Sequence, residues 1–148
     1  MPVRIATLVG AVIIALTSPG VHAEQSATFG DYTIHYNALP TEVLDPSIAK
    51  LYNIRRSQSR ALLNVSVLKK KMGLTGQPVR AAVKATATNL SAQLRSIEMR
   101  ELSEQGAIYY IGELPVAHEE TLKFTIEVTP DGETEPFVAR FDQQFFTR

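Results

Sequence analysis

The sequence predicts an all-β protein: an immunoglobulin-like β-sandwich of about seven antiparallel strands with one short helix. Three observations predict it. Seven segments alternate apolar and polar side chains with period two. Gly, Pro and Asp residues punctuate the intervals between them. After the first 23 residues, a single short stretch supports a helix. Cysteine and tryptophan are absent, so the Cys–Trp–Cys marker of antibody-type domains is missing and the prediction concerns architecture alone.

The chain opens with Met1 to Arg4 and an apolar run from Ile5 to Leu16, followed by Thr17 to Ala23. This order is that of a secretory leader. The run has 12 residues, against the roughly 20 needed to span a bilayer. Pro19 and Gly20 break a helix, and Val21 and Ala23 are the small residues expected before a cleavage site. Cleavage is therefore expected between Ala23 and Glu24. Residues 24–148 form one domain, in keeping with its length of 125 residues (148 − 23).

Tyr32, Ile34 and Tyr36 alternate with Thr33 and His35, which predicts a strand over 29–37. Pro46 followed by Ser47 to Asn53 predicts one or two helical turns. Arg60 to Lys70 reads as the second strand. Gly73, Gly76 and Pro78 read as a loop, and Val79 to Thr88 as the third strand. A fourth is expected over Gln93 to Leu102, and a fifth over Ala107 to Glu113 after the turn at Gly106. Leu122, Phe124, Ile126 and Val128 define the sixth. Pro130, Asp131 and Gly132 make a turn, because Pro fixes φ and Gly accepts a positive φ. Phe137, Ala139, Phe141 and Phe145 share one face of the seventh.

Composition excludes several functions. There are 15 basic and 15 acidic residues; without Arg4 the balance is 14 to 15, a net charge of −1. A generally basic nucleic-acid binder is not expected. With no cysteine there is no disulfide, no thiolate metal site, no catalytic thiol and no lipid-attachment site. No Gly-x-Ser-x-Gly elbow occurs, and the glycines at 73 and 76 are not followed by the Lys-Ser/Thr of a phosphate loop. No cofactor is expected. The sequons at Asn64 and Asn89 would stay bare in a bacterial envelope.

The block from Phe29 to Thr41, the strand Arg60 to Leu68 and the closing Phe141 to Phe146 resemble a family of small exported bacterial proteins. That family is catalogued as domain of unknown function 4426. The resemblance runs over most of residues 26–148 and implies an exported sandwich domain in Gram-negative bacteria. It brings no catalytic residue with it, because its motifs are strand sequences.

Two histidines follow the leader, His35 and His118. His35 could serve as a metal ligand or a general base near neutral pH, and His118, with Glu119 and Glu120, could supply one corner of a divalent-metal site. A metal-assisted hydrolase would need both, with acidic residues such as Glu119 and Glu120, to converge on one point. The carboxylate pairs Glu98/Glu101 and Glu133/Glu135 read as hydrophilic strand and turn residues.

Charge order is the unusual feature. Between Pro46 and Ile97 there are ten basic residues and no acidic one; between Glu98 and Asp142 there are eleven acidic and three basic. In a sandwich, early strands pair with late ones, so opposite charges would face each other across strands. The sharper expectation is a basic loop cluster of Arg55, Arg56, Arg60, Lys69, Lys70 and Lys71. Such a cluster would engage an anionic headgroup, an acidic polymer or an envelope protein. Head-to-tail self-association of the basic and acidic ends is a further alternative. The sequence thus points to a periplasmic, non-enzymatic binding or accessory module that uses this cluster or an exposed sheet edge. A metal-assisted hydrolase and a purely structural envelope protein are the alternatives.

Overall fold

Burial follows the alternation residue by residue. Tyr32, Ile34, Tyr36 and Ala38 are buried, and Thr33, His35 and Asn37 between them are half-buried. The same rule holds from Leu122 to Val128. The structure is a computed structural model that describes residues 25–72 and 74–148. Among these residues there are ten strands: β1 (Gln25–Phe29), β2 (Tyr32–Pro40), β3 (Arg60–Lys71), β4 (Leu74–Pro78), β5 (Ala81–Asn89), β6 (Leu94–Ile97), β7 (Arg100–Glu104), β8 (Ala107–Pro115), β9 (Glu120–Pro130) and β10 (Phe137–Phe145). A 3-10 turn, Thr41–Val43, and helix α1 (Pro46–Leu51) join β2 to β3.

The strands form two antiparallel sheets. The larger has the order β1-β2-β3-β8-β7, with β4 also paired to β3; the smaller has the order β10-β9-β5-β6. Early strands do pair with late ones: β3 with β8 and β5 with β9. Two ends of the sandwich follow from the register. Pro40, Arg60 and Pro115 lie at one end, and Tyr32 and Lys69 at the other.

The core lies between the sheets. Phe124, Phe145, Ile34, Leu63, Leu114 and Ile126 are fully buried there. Tyr36 of the larger sheet stacks on Phe141 of the smaller at 5.0 Å, and Phe141 stacks on Phe124 at 4.7 Å. Burying each such ring contributes about 1.5–3 kcal/mol, so the stack is one of the main ties between the layers. Polar ties join the same layers. Gln143 Nε2 donates to Ala38 O at 2.8 Å, and the Ala81 N–H donates to Tyr110 Oη at 2.9 Å.

Helix α1 begins where the sequence predicts. Asp45 accepts the Ser47 N–H at 2.8 Å, and Pro46 occupies the first turn, where no N–H is needed. It ends in a Schellman arrangement: Ile54 N–H donates to Ala49 O, Asn53 N–H to Lys50 O, and Asn53 adopts φ +55°. The helix covers the outer face of the larger sheet, where Ala49 and Ile54 pack on Leu62 and Ile111.

The two-sheet architecture is the expected one, but there are ten strands where about seven were expected. Three local features account for the difference. Gln25–Phe29 forms an edge strand, β1, ahead of the first expected one. The segment expected as a loop around Gly76 is strand β4. Here glycine reflects close packing rather than a turn, since a Cβ at Gly76 would lie 2.9 Å from Leu68 Cβ. Finally, Gln93 to Leu102 is two strands, not one: β6 belongs to the smaller sheet and β7 to the larger, so the chain changes sheets at Glu98 and Met99.

Candidate binding site

The six basic residues expected to cluster do not form one patch. Arg60 is the first residue of β3 and Lys71 is its last. An extended strand rises about 3.3 Å per residue, so the two groups are roughly 35 Å apart. Arg55, Arg56 and Arg60 lie at the Arg60 end; Lys69, Lys70 and Lys71 lie at the other. Each group has local partners. Arg56 Nη2 donates to Glu42 O at 2.8 Å, and the Arg55 backbone N–H donates to Glu113 Oε1 at 3.3 Å. Lys69 Nζ sits 5.3 Å from the centre of the Tyr32 ring.

Part of the charge order is resolved by contacts between early and late segments. Arg95 forms a two-pronged ion pair with Glu120 at 2.7 and 2.8 Å. Arg80 Nε lies 3.4 Å from Glu101 and Arg60 Nε 3.6 Å from Glu113. Lys84 faces Glu127 in the β5–β9 register. In every case a basic residue from before Ile97 meets a carboxylate from after it. These four basic side chains are set beside acidic ones instead of forming a basic face of their own.

The two histidines are likewise apart. His35 is on the outer face of the larger sheet, in a shallow groove with Ser66, Leu68 and Tyr109. It is five residues, roughly 16 Å, from the Pro40 end of its strand. His118 lies in the β8–β9 loop beyond that end; its Nδ1 accepts the Thr147 N–H at 3.1 Å and its Nε2 lies 3.6 Å from Glu119 Oε1. Glu120 is taken by Arg95. Among the described residues, no group of three or more His, Asp or Glu side chains is arranged to hold a metal ion. The Ala23–Glu24 junction lies outside the described residues.

What the fold does assemble is an open groove of about 410 Å³ at the Arg60 end, on the outer face of the larger sheet. Leu62 and Ile111, the residues on which α1 rests, form its floor. Arg60 and Glu113 line it from β3 and β8, Arg100 from β7, and Glu98 from the crossover before β7. Asn53 completes it, put there by the left-handed end of α1. The wall at Glu98 depends on Gly112: a Cβ there would come within 2.5 Å of Ile97 and 2.8 Å of Glu98 O. Arg100 Nη2 donates to Tyr52 O, fixing that guanidinium at the rim. Arg60 Nε is buried with no hydrogen-bond partner, although its side chain is 30% exposed. Glu113 Oε1 at 3.6 Å pairs its charge without a hydrogen bond, and a buried charged donor left without one is costly.

Arg60 was legible as a candidate. Arg100, Glu98, Glu113 and Asn53 were not, since only the β3–β8–β7 pairing, the crossover before β7 and the end of α1 bring them beside it. Among the described residues, no helix is long and apolar enough to cross a membrane.

Comparison with known proteins bears on the whole chain. A DUF4426 family protein from Pseudomonas aeruginosa is 36% identical, covers 83% of this chain and 94% of its own, and superposes with a TM-score of 0.72. FetP of a uropathogenic Escherichia coli strain shares the fold at 10% identity, with a TM-score of 0.59 over 84% of this chain and 94% of its own. A copper-bound variant of that FetP is similar at 11% identity and a TM-score of 0.58, over 83% and 95%. No curated protein matches the chain. The family described as Domain of unknown function (DUF4426) matches residues 26–148, and the chain belongs to that family.

Proposed function

We propose that the chain is a non-enzymatic binding module exported to the bacterial periplasm, and that it receives an anionic group of an envelope partner in the groove beside Arg60. The observation that carries this reading is the Arg60 guanidinium lining an open groove: its Nε is buried and makes no hydrogen bond, with only a 3.6 Å ion pair to Glu113 Oε1. An anionic oxygen entering the groove would take a charge-assisted hydrogen bond from the exposed part of this guanidinium. Arg100 would flank the same group. Arg55 and Arg56 lie at the same end of the sandwich but do not line the groove, and Lys69, Lys70 and Lys71 stand at the far end and take no part in this contact.

Export is supported by the leader pattern of residues 1–23, which lies outside the family match of residues 26–148. It is also supported by the FetP neighbour, which was recombinantly expressed in the periplasm. A FetP variant binds copper. The donors here do not fit such a role: His35 and His118 are on separate elements, and His118 and Glu120 are engaged with Thr147 and Arg95. The proposed function therefore uses no metal.

The test is a titration with inorganic phosphate followed by amide NMR. The expected result is saturable perturbation at Asn53, Arg60, Arg100 and Glu113. Arg60→Gln and Arg100→Gln should each lose most of the response, and Lys70→Ser should keep it. Absence of saturable shifts, or an undiminished response in both arginine variants, would overturn the proposal.

A further inference from the structure

Strand β10 is an edge of the smaller sheet. It pairs with β9 through nine consecutive residue pairs, from Phe137 opposite Val128 to Phe145 opposite Glu120. Among the described residues, no strand pairs with its other side. Natural edges are usually short, bulged or broken by proline, because an open ladder recruits other strands. Over nine residues β10 has no bulge and no proline.

Charge is the remaining way to block an edge, and here its placement has the opposite effect. Arg140 and Asp142 are both exposed on the outer face of β10. Among the described residues, neither has an ion pair or a side-chain hydrogen bond; their partners across β9 are Thr125 and Lys123, and Lys123 does not close on Asp142. The two residues are symmetric about Phe141. If a second β10 lies antiparallel with Phe141 on the twofold axis, Arg140 of each strand faces Asp142 of the other. Ala139 then faces Gln143, a small residue against a larger one, and Val138 faces Gln144.

We infer that β10 is a self-complementary edge through which two copies of this chain associate, joining their smaller sheets into one continuous eight-stranded sheet (4 + 4). Such an interface is isologous, so each favourable pair occurs twice. Reciprocal opposite charges stabilise the pairing, and any register shifted by one residue turns the side chains of one strand to the other face. This surface is separate from the Arg60 groove, so either reading can fail without the other.

The experiment uses the exported protein produced from the full sequence. Sedimentation should show a concentration-dependent dimer. Arg140→Asp and Asp142→Arg each place like charges opposite one another, and each should weaken self-association about tenfold or more. An equimolar mixture of these two variants restores opposite charges at both contacts and should form mixed dimers. Unchanged far-ultraviolet circular dichroism and thermal melts show that each variant folds. Because the chain has no cysteine, a nitroxide can be attached singly at Val138→Cys or at Gln144→Cys. With Phe141 on the axis, each label is six positions from its copy, so both should give the same separation, roughly 20 Å between backbones. A wild-type protein that stays monomeric, variants that dimerise as before, a mixture that does not associate, or unequal label separations would each overturn the inference.

Discussion

Glu120 shows how much one side chain can organise. Its carboxylate accepts two hydrogen bonds from Arg95, one from Asn89 Nδ2 at 3.3 Å and one from the Ala117 N–H at 3.3 Å. The Arg95 hydrogen bonds, against some cost of burial, hold its pKa down at about 2 from an ordinary 4.5. A folded-state pKa below the unfolded one adds stability above the unfolded value and loses it as the pH falls through the folded value. The contribution is therefore full above about pH 4.5 and fades towards pH 2. Glu120→Gln should lower stability at pH 7 by about 1.5–3 kcal/mol in urea unfolding, and the gap to wild type should narrow steadily between pH 4.5 and 2. A gap independent of pH would contradict this account. The sequence marked Glu119 and Glu120 beside His118 as a candidate metal corner. The fold uses Glu120 to tie the start of β9 to β6, and a reading of neighbours along the chain has no access to that contact.

At the scale of elements, glycine meant different things at different places. Gly132 does stand in a turn with φ +89°, as Pro130 and Asp131 suggested. Gly76 and Gly112 sit inside strands because another backbone or side chain passes too close for a Cβ. Gly112→Ala would push a methyl group to 2.5 Å from Ile97 Cγ2 and 2.6 Å from Met99 Sδ. Overpacking of this kind costs about 1–3 kcal/mol, and it would displace the crossover that carries Glu98. Chemical denaturation should record the loss, and phosphate titration should report a weakened Arg60 groove in the same variant. An Ala variant as stable as wild type would contradict the close approach. The strands themselves were legible because alternation is a local signal: β2, β9 and β10 carry it cleanly, and β3 does so after Leu63. β1 and β4 were missed because they are five residues long, too short for a period-two pattern to stand out.

At the scale of the whole molecule, the proposed leader and the folded unit make separate demands. Residues 1–23 have the charge, apolar run and small residues of the proposed leader, whereas residues 26–148 have the alternation that builds two sheets. Mass spectrometry of the protein recovered from a periplasmic extract should therefore find a chain that begins at Glu24; a chain retaining Met1 to Ala23 would contradict the proposed cleavage. The sequence by itself determined the all-β class, the short helix after Asp45 and the inward faces of the long strands, because these depend on residues within a few positions of one another. It also bounded the chemistry, through the absence of cysteine and the charge balance. Only the tertiary structure decided which charges meet. Arg60 and Lys71 are near in sequence yet roughly 35 Å apart, because a strand is extended. Arg60 and Glu113 are 53 positions apart (113 − 60) yet form an ion pair, because β3 and β8 are neighbours. Composition records how many charges a chain carries; strand order and register determine where each one lies, and so where a groove or a self-matching edge arises.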